Sequence, residues 1–253
     1  MKHLFIVMLL GASGISGAQG LLDFRNDLAF DAGTVQTVAE RAYRARLQTL
    51  AADGRLDANT ELLGRLREII ESLRSAAQFE RPDSAAIAWE IHTCRRCGEN
   101  ASAMAGGKLL VGEEFIAELA LTHDELAYLL AHEMAHVLAE HTREFATTAR
   151  FFMGNGQNRE YEDIQSELDE SFAVNLRMAP VFAEQELEAD YMGFVLGARS
   201  DYDPEAMPRM LHKLHAEPTP AFAMHPGGGE RIRRAQAMLP IAHRINEIGI
   251  PGR

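Results

Sequence analysis

One stretch of the chain constrains the fold more than any other, because it lacks helix breakers and carries its own start signal. Residues 113–153 contain no glycine or proline. Within them, Thr122 and Glu125 have the S/T-x-x-E spacing of a capping box, whose two side chains satisfy free backbone N–H groups in a first helical turn. The sequence therefore predicts a helix that begins at about His123 and continues through at least His141.

The predicted helix contains the run His132-Glu133-Met134-Ala135-His136. Histidines four residues apart lie on the same helical face, so two imidazole nitrogens can reach one zinc ion. Glu133 can then act as catalytic base by accepting a proton from a water molecule on the metal. The alternative interpretation is a helix with two ordinary, partly buried histidines.

A catalytic zinc site needs a third protein ligand, and the sequence excludes one common source of it. In the metzincin pattern a glycine and a third histidine follow at fixed spacing in the sequence, but Ala139 and Thr142 occupy those positions here. His141 is one residue out of register, so we expect it to face elsewhere. The third ligand must then come from another segment.

Acidic residues on a second predicted helix, Val181–Tyr191, offer such a ligand. Glu186 and Asp190 lie one turn apart, so the first can bind zinc while the second accepts a hydrogen bond from a zinc-binding histidine. Glu184 and Glu188 are competing candidates. Glu188, however, points about 100–200° away from Glu186 around the helix axis, so only one of the two can face the metal. A run of acidic residues on a helix is otherwise simply a solvated face.

A histidine near the C-terminus precedes a proline and three glycines. His225 must be extended before Pro226, and the glycines that follow allow a mobile loop. One interpretation is a turn before a last helix at Glu230–Met238. The other places His225 over the metal site, where it or Arg231 helps to stabilise an oxyanion.

The rest of the chain predicts an α+β fold that is mainly helical. Apolar residues at helical spacing indicate helices at Val35–Leu50 and Glu61–Leu73, and short apolar runs indicate strands at Ala86–His92 and Gly107–Gly112. The expected architecture is an active-site helix, a small β-sheet and a second helix with the Glu-x-x-Ala-Asp sequence.

The N-terminus has the pattern of a secretory signal. Residues 1–18 carry one lysine, a short apolar run and then small residues, although a buried N-terminal strand or helix is the alternative. We expect the remaining residues, 19–253, to form a single domain with a helical part, 19–85, and a catalytic core, 86–253. The pattern predicts export, to the periplasm if the source is bacterial.

Cysteine content and charge narrow the function further. Cys94 and Cys97 are expected to form a local disulfide in an oxidising compartment, with free thiols or redox or metal chemistry as alternatives. The net charge of −12 disfavours nucleic acid and anionic lipid as partners. No segment beyond the N-terminus has the length of a transmembrane helix.

Several motifs in order resemble one family of HExxH zinc metallopeptidases, the gluzincins that include HtpX, the CAAX prenyl protease and BepA. They are Asn100-Ala101 with Gly106-Gly107, Asp124-Glu125-Leu126 leading into the HExxH run, Glu186-x-x-Ala189-Asp190-x-x-Gly193, Tyr202-Asp203-Pro204, and His225-Pro226 with Arg231. The exported, periplasmic members are the better comparison. Phe182-Ala183 stand where the family often has Ser-Arg.

The resemblance implies a role for each matching residue. It implies His132, His136 and Glu186 as ligands of one Zn²⁺, Glu133 as catalytic base, and Asp190 in contact with a ligand. It implies His225 as a loop histidine that can hold the site latent.

The resulting hypothesis is a zinc-dependent endopeptidase that degrades misfolded or unassembled polypeptides. The resemblance leaves membrane association open. A chaperone-like protein with a latent site is the alternative.

Overall fold

The structure, a computed structural model, describes residues 28–98, 100–216 and 228–250. Within these ranges the fold is mainly helical with one small sheet, so the predicted fold class is confirmed. The α-helices are α1 (Ala32–Ala52), α2 (Thr60–Glu80), α3 (Glu113–Leu119), α4 (His123–Leu138), α5 (His141–Ala149), α6 (Tyr161–Glu170), α7 (Phe172–Arg199), α8 (Ala206–Ala216) and α9 (Gly229–Ile248).

The sheet has three strands, β1 (Glu90–Cys94), β2 (Ala101–Met104) and β3 (Lys108–Gly112), in the order β1-β3-β2. β1 is parallel to β3, and β2 is antiparallel to it. Every residue of β3 is buried. The strand predicted at 107–112 is present. The first strand begins at Glu90, later than predicted, and Ala86 instead ends a 3-10 helix, Pro82–Ala86.

The first two helices are longer than their apolar stripes predicted. Asp31 caps α1 by accepting a hydrogen bond from the backbone N–H of Thr34, and Asn59 caps α2 in the same way at Leu62. The leucine and isoleucine stripe of α2 is buried in the main core, which also takes in most of the apolar side chains of α4. α2 therefore covers the core behind the helix that carries HExxH, whereas the buried residues of α1 lie in two smaller apolar clusters.

The active-site helix, α4, begins as predicted and ends early. The capping box between Thr122 and Glu125 is present with both hydrogen bonds. The helix stops at Leu138, however, because Glu140 adopts a left-handed conformation with φ 57°. The prediction of a helix through His141 is wrong, and His141 instead is the first residue of a separate helix, α5.

The second metal-site helix, α7, is longer than the predicted Val181–Tyr191 and contains Pro180 in its interior. The half before Pro180 packs into a separate apolar cluster with α5 and α6, and the half after it packs into the main core. Glycine permits close contact with α4, because a Cβ atom built on Gly193 would lie 2.9 Å from the backbone nitrogen of His132. This contact brings the acidic face of α7 against the HExxH sequence.

None of the described helices combines the length and the apolar composition needed to cross a bilayer. The segment predicted as a signal, residues 1–18, lies outside the described residues.

Candidate metal centre

Three side chains from α4 and α7 converge on one point. The Nε2 atoms of His132 and His136 are 3.1 Å apart, and each lies 3.3–3.4 Å from a carboxylate oxygen of Glu186. One ligand atom from each of the three residues lies within 4.8 Å of the other two. His132 and Glu186 are almost fully buried, while His136 is slightly exposed. The predicted ligands therefore meet, although they are separated by fifty residues of chain.

The donor set fits a divalent cation such as zinc. Two imidazole nitrogens and one carboxylate oxygen are the His₂Glu combination of catalytic zinc sites, and they leave room for a further ligand. Nitrogen lone pairs this close repel each other unless a proton or a metal ion lies between them. The same geometry therefore favours a positive charge at the centre of the three side chains.

The pKa values of the two histidines reflect this preference for positive charge between the three side chains. Burial disfavours a proton on His132, but the charge of Glu186 and a hydrogen bond to Asp190 outweigh burial and raise its pKa to about 10. Burial lowers the pKa of His136 to about 3, despite its hydrogen bond to Glu186. The carboxylate of Glu186 therefore favours positive charge on the neighbouring imidazole of His132.

Asp190 and Arg231 support the carboxylate side of the site. The Nδ1 atom of His132 lies 3.0 Å from Asp190, for which a contact with one of the ligand histidines was predicted. Arg231 donates two hydrogen bonds of 2.7 Å to Asp190 and lies 2.7 Å from Glu186. Burial alone would raise the pKa of Asp190, but the hydrogen bonds from His132 and Arg231 hold it below its ordinary value. This placement gives Arg231 the task of holding two carboxylates, while its role at an oxyanion stays a prediction.

The predicted base, Glu133, is buried beside the first ligand, with 2% of its surface exposed. Its charge is close enough to Arg231 to raise the pKa of that guanidinium. The role of Glu133 as catalytic base stays a prediction. The predicted loop histidine, His225, lies outside the described residues.

Two residues that the sequence did not assign also belong to the site. His141 was expected to face elsewhere, yet its Nδ1 atom lies 2.8 Å from Nδ1 of His136. Glu188, considered only as a competing ligand, lies 3.4 Å from Nε2 of His141. The turn at Glu140 explains the difference, because a continuous helix would have rotated His141 about 140° away from His136.

The predicted cysteine pair lies far along the chain from these ligands, at the end of β1. Cys94 and Cys97 are joined by a disulfide in the structure. Arg46 and Arg55 donate hydrogen bonds to the backbone carbonyls of Cys97 and Arg96, which anchor this turn to α1 and to the segment that follows it.

A cleft of about 740 Å³ is lined by one of the three candidate ligands, His136. Its walls come from α1, from the segment around the 3-10 helix, from the β2–β3 turn and from the end of α4. Representative lining residues are Gln36, Arg81, Ile87, Gly106 and His136. Because His136 lines the cleft, a molecule bound there would reach the candidate metal site.

Comparison with known proteins agrees with this geometry. The model of a family described as "Peptidase family M48" matches residues 61–239. The chain is 32% identical over 168 residues to "Mitochondrial metalloendopeptidase OMA1" of Schizosaccharomyces pombe, which covers 62% of this chain and 48% of that protein. It is 26% identical over 190 residues to the human "Metalloendopeptidase OMA1, mitochondrial", which covers 66% of this chain and 35% of that protein. The chain thus spans about half the length, or less, of these curated relatives.

These relatives correct two expectations. The predicted export to a periplasm is wrong, because the similar proteins are named as mitochondrial enzymes and none supports a periplasmic location. The resemblance to HtpX, the CAAX prenyl protease and BepA holds at the level of the family only, since the matched relatives are OMA1 enzymes.

Proposed function

Since the chain belongs to peptidase family M48, we propose that it is a zinc-dependent endopeptidase that cleaves unfolded or unassembled polypeptides. Family membership confirms the predicted metalloendopeptidase class, and the metal dependence follows from it. The nature of the substrate is the part that goes beyond the family.

The observation that carries the proposal is the meeting of His132, His136 and Glu186 at one buried point. The first two residues lie on α4 and the third on α7, fifty residues further along the chain, so it is the packing of these two helices that assembles the three side chains. Asp190 then fixes the orientation of His132, because its contact with Nδ1 at 3.0 Å leaves Nε2 free for a metal.

The reaction assigned to the site is hydrolysis of a peptide bond. When bound, zinc supplies Lewis acidity that polarises the peptide carbonyl and activates water. Glu133 takes a proton from the attacking water and delivers it to the leaving amine, which is the work of a general base that becomes a general acid. Arg231 keeps Glu186 and Asp190 paired with a positive charge, so neither buried carboxylate is left uncompensated.

The sheet suggests how a polypeptide would bind. β3 offers no free edge to a substrate, because it pairs with a strand on each side. β1 and β2 each pair with β3 alone among the described strands, but β1 also forms an isolated β-bridge with Leu56. β2 is therefore the better candidate, and α4 packs against it. An extended substrate that adds to this edge would be recognised through its backbone, which suits unfolded chains of varied sequence.

The decisive test is cleavage of denatured casein by the purified chain loaded with zinc. Wild type should cleave, and the Glu133→Gln variant should lose cleavage by several orders of magnitude while it keeps one zinc ion per chain. Glu118→Gln, an exposed change on α3, is the matched control and should cleave like wild type. Full activity of Glu133→Gln would show that the base is assigned incorrectly.

The latent, chaperone-like alternative is tested in the same assay with a His225→Ala variant. Cleavage that appears only in this variant supports a peptidase held latent by the loop histidine. If neither protein cleaves and both suppress aggregation of denatured protein, the chaperone-like function replaces the proposed one.

A further inference from the structure

We propose that His141 is a positioning residue that fixes the tautomer and the orientation of the ligand His136, and that Glu188 fixes His141 in turn. The inference rests on the proposed function, because it concerns how this chain prepares a ligand for zinc. It assigns a task to His141, which lies outside the HExxH sequence, and to Glu188, which occupies a variable position of the Glu-x-x-Ala-Asp sequence.

The contacts form an unbroken chain from the ligand to a carboxylate. The Nδ1 atoms of His136 and His141 are 2.8 Å apart, and their rings meet edge to face with centroids 4.8 Å apart. The other nitrogen of His141, Nε2, lies 3.4 Å from Oε2 of Glu188. His141 is 3% exposed, so water does not replace these partners easily.

The directions of the hydrogen bonds follow from the position of the ligand atom. If Nε2 of His136 offers its lone pair to a cation, then its Nδ1 must carry the hydrogen. His136 therefore donates from Nδ1, and Nδ1 of His141 accepts. His141 must then carry its own hydrogen on Nε2, from which it donates to Glu188. Only this set of tautomers satisfies every atom in the chain, so each residue selects the tautomer of the next.

The surrounding structure holds His141 in place. Gln185 donates from its side-chain nitrogen to the backbone carbonyl of His141 at 3.2 Å and to Glu144 at 3.0 Å. The left-handed conformation of Glu140, which costs a non-glycine residue about 1 kcal/mol, is what turns His141 back towards His136. An unfavourable backbone conformation next to a ligand is typical of a position that function maintains.

The two ligand histidines are therefore supported in different ways. His132 contacts the carboxylate of Asp190 directly, whereas His136 reaches the carboxylate of Glu188 through a second imidazole. Partners of this kind usually change metal affinity by about 10- to 100-fold.

The experiment measures zinc affinity by competition with a chromophoric chelator, using the full chain at pH 7.5, with two substitutions at one position. His141→Leu removes both hydrogen bonds and replaces the imidazole with an apolar side chain. His141→Gln keeps an oxygen that can accept from His136 and an amide that can donate to Glu188. The visible spectrum of the cobalt-loaded proteins reports whether the ligand geometry changes.

We expect His141→Leu to bind zinc about 10- to 100-fold more weakly and His141→Gln to stay within about threefold of wild type. The zinc-free variants should melt close to zinc-free wild type. His243→Leu is the matched control, because His243 also lies 3.4 Å from a carboxylate, that of Glu205, but far from the site along the chain. Its zinc affinity should not change.

Two results would overturn the inference: undiminished zinc affinity in His141→Leu, or equal losses in the Leu and Gln variants. If His141→Leu does not fold, Glu188→Ala decides, and its affinity should fall at least about threefold, whereas an unchanged value would overturn the inference. Failure of wild type itself to bind zinc would remove the proposed function and the inference together, so the two failures are distinguishable.

Discussion

The close contact between α4 and α7 predicts an unusual cost for adding one methyl group. In Gly193→Ala, the new Cβ atom would lie 2.9 Å from the backbone nitrogen of His132, 3.0 Å from its Cα atom and 3.1 Å from the backbone carbon of Ala131. All three neighbours are backbone atoms, so no side chain can rotate away. The two helices must instead separate by about half an ångström to reach ordinary carbon contacts near 3.5 Å.

The magnitude follows from two opposing terms. Overpacking of a filled interior costs about 1–3 kcal/mol, and alanine returns about 1 kcal/mol through its better helix propensity. The expected net loss is about 1 kcal/mol, which lowers the melting temperature of a domain of this size by about 2–4 °C. Zinc affinity should fall as well, because Glu186 and Asp190 move with α7 away from His132.

Gly64→Ala is the matched control for this substitution. Gly64 lies on the exposed side of α2, where an added Cβ atom meets nothing within 4 Å. The same chemical change should therefore stabilise the protein by about 0.4–1 kcal/mol and leave zinc binding alone. Thermal unfolding followed by circular dichroism, with and without zinc, measures both variants. A Gly193→Ala protein that melts above wild type and binds zinc equally well would refute the close approach of the helices.

Two further substitutions test the charges around the site and the sheet. Arg231→Met should destabilise the protein by about 3–5 kcal/mol, because it leaves the buried carboxylates of Asp190 and Glu186 without their cation. Arg231→Lys keeps the positive charge and should lose less stability. A Met variant that melts at the same temperature as wild type would contradict this prediction. Glu90→Gln tests pH dependence, since the hydrogen bond from Arg44 lowers the pKa of Glu90 from 4.5 to about 2. A carboxylate with a lowered pKa stabilises the fold above its ordinary pKa, so the difference in melting temperature from wild type should be largest near neutral pH and shrink as pH falls from about 4.5 towards 2.

The helices were largely predictable from the sequence, but their ends were not. The capping box at Thr122 is a local signal, so the start of α4 could be located to the residue. Its end at Leu138 carries no such signal, because a glutamate occupies the left-handed position where glycine is usual. β2 was not predicted as a strand in its own right, since its sequence, Ala-Ser-Ala-Met, lacks the β-branched and aromatic residues that mark strands.

In the candidate site, too, the parts that depend on residue spacing within one helix could be predicted, and those that depend on contacts between distant segments could not. The HExxH spacing fixes His132 and His136 on one helical face, and the one-turn spacing of Glu186 and Asp190 does the same on α7. The part played by His141 depends on a break in the helix, so its register relative to His136 gave the wrong face. Long-range contacts such as that between Arg231 and Asp190 arise from packing, which a single sequence does not display.

All three candidate ligands stand in the interiors of helices rather than on loops. Their backbones are ordered by the apolar core that α4 and α7 share, so folding itself bears the entropic cost of assembling the cage. A zinc finger collapses when its ion is stripped, because the ion organises the chain. Here the fold should stay intact after the metal is removed, and the protein should be able to release and rebind zinc without refolding.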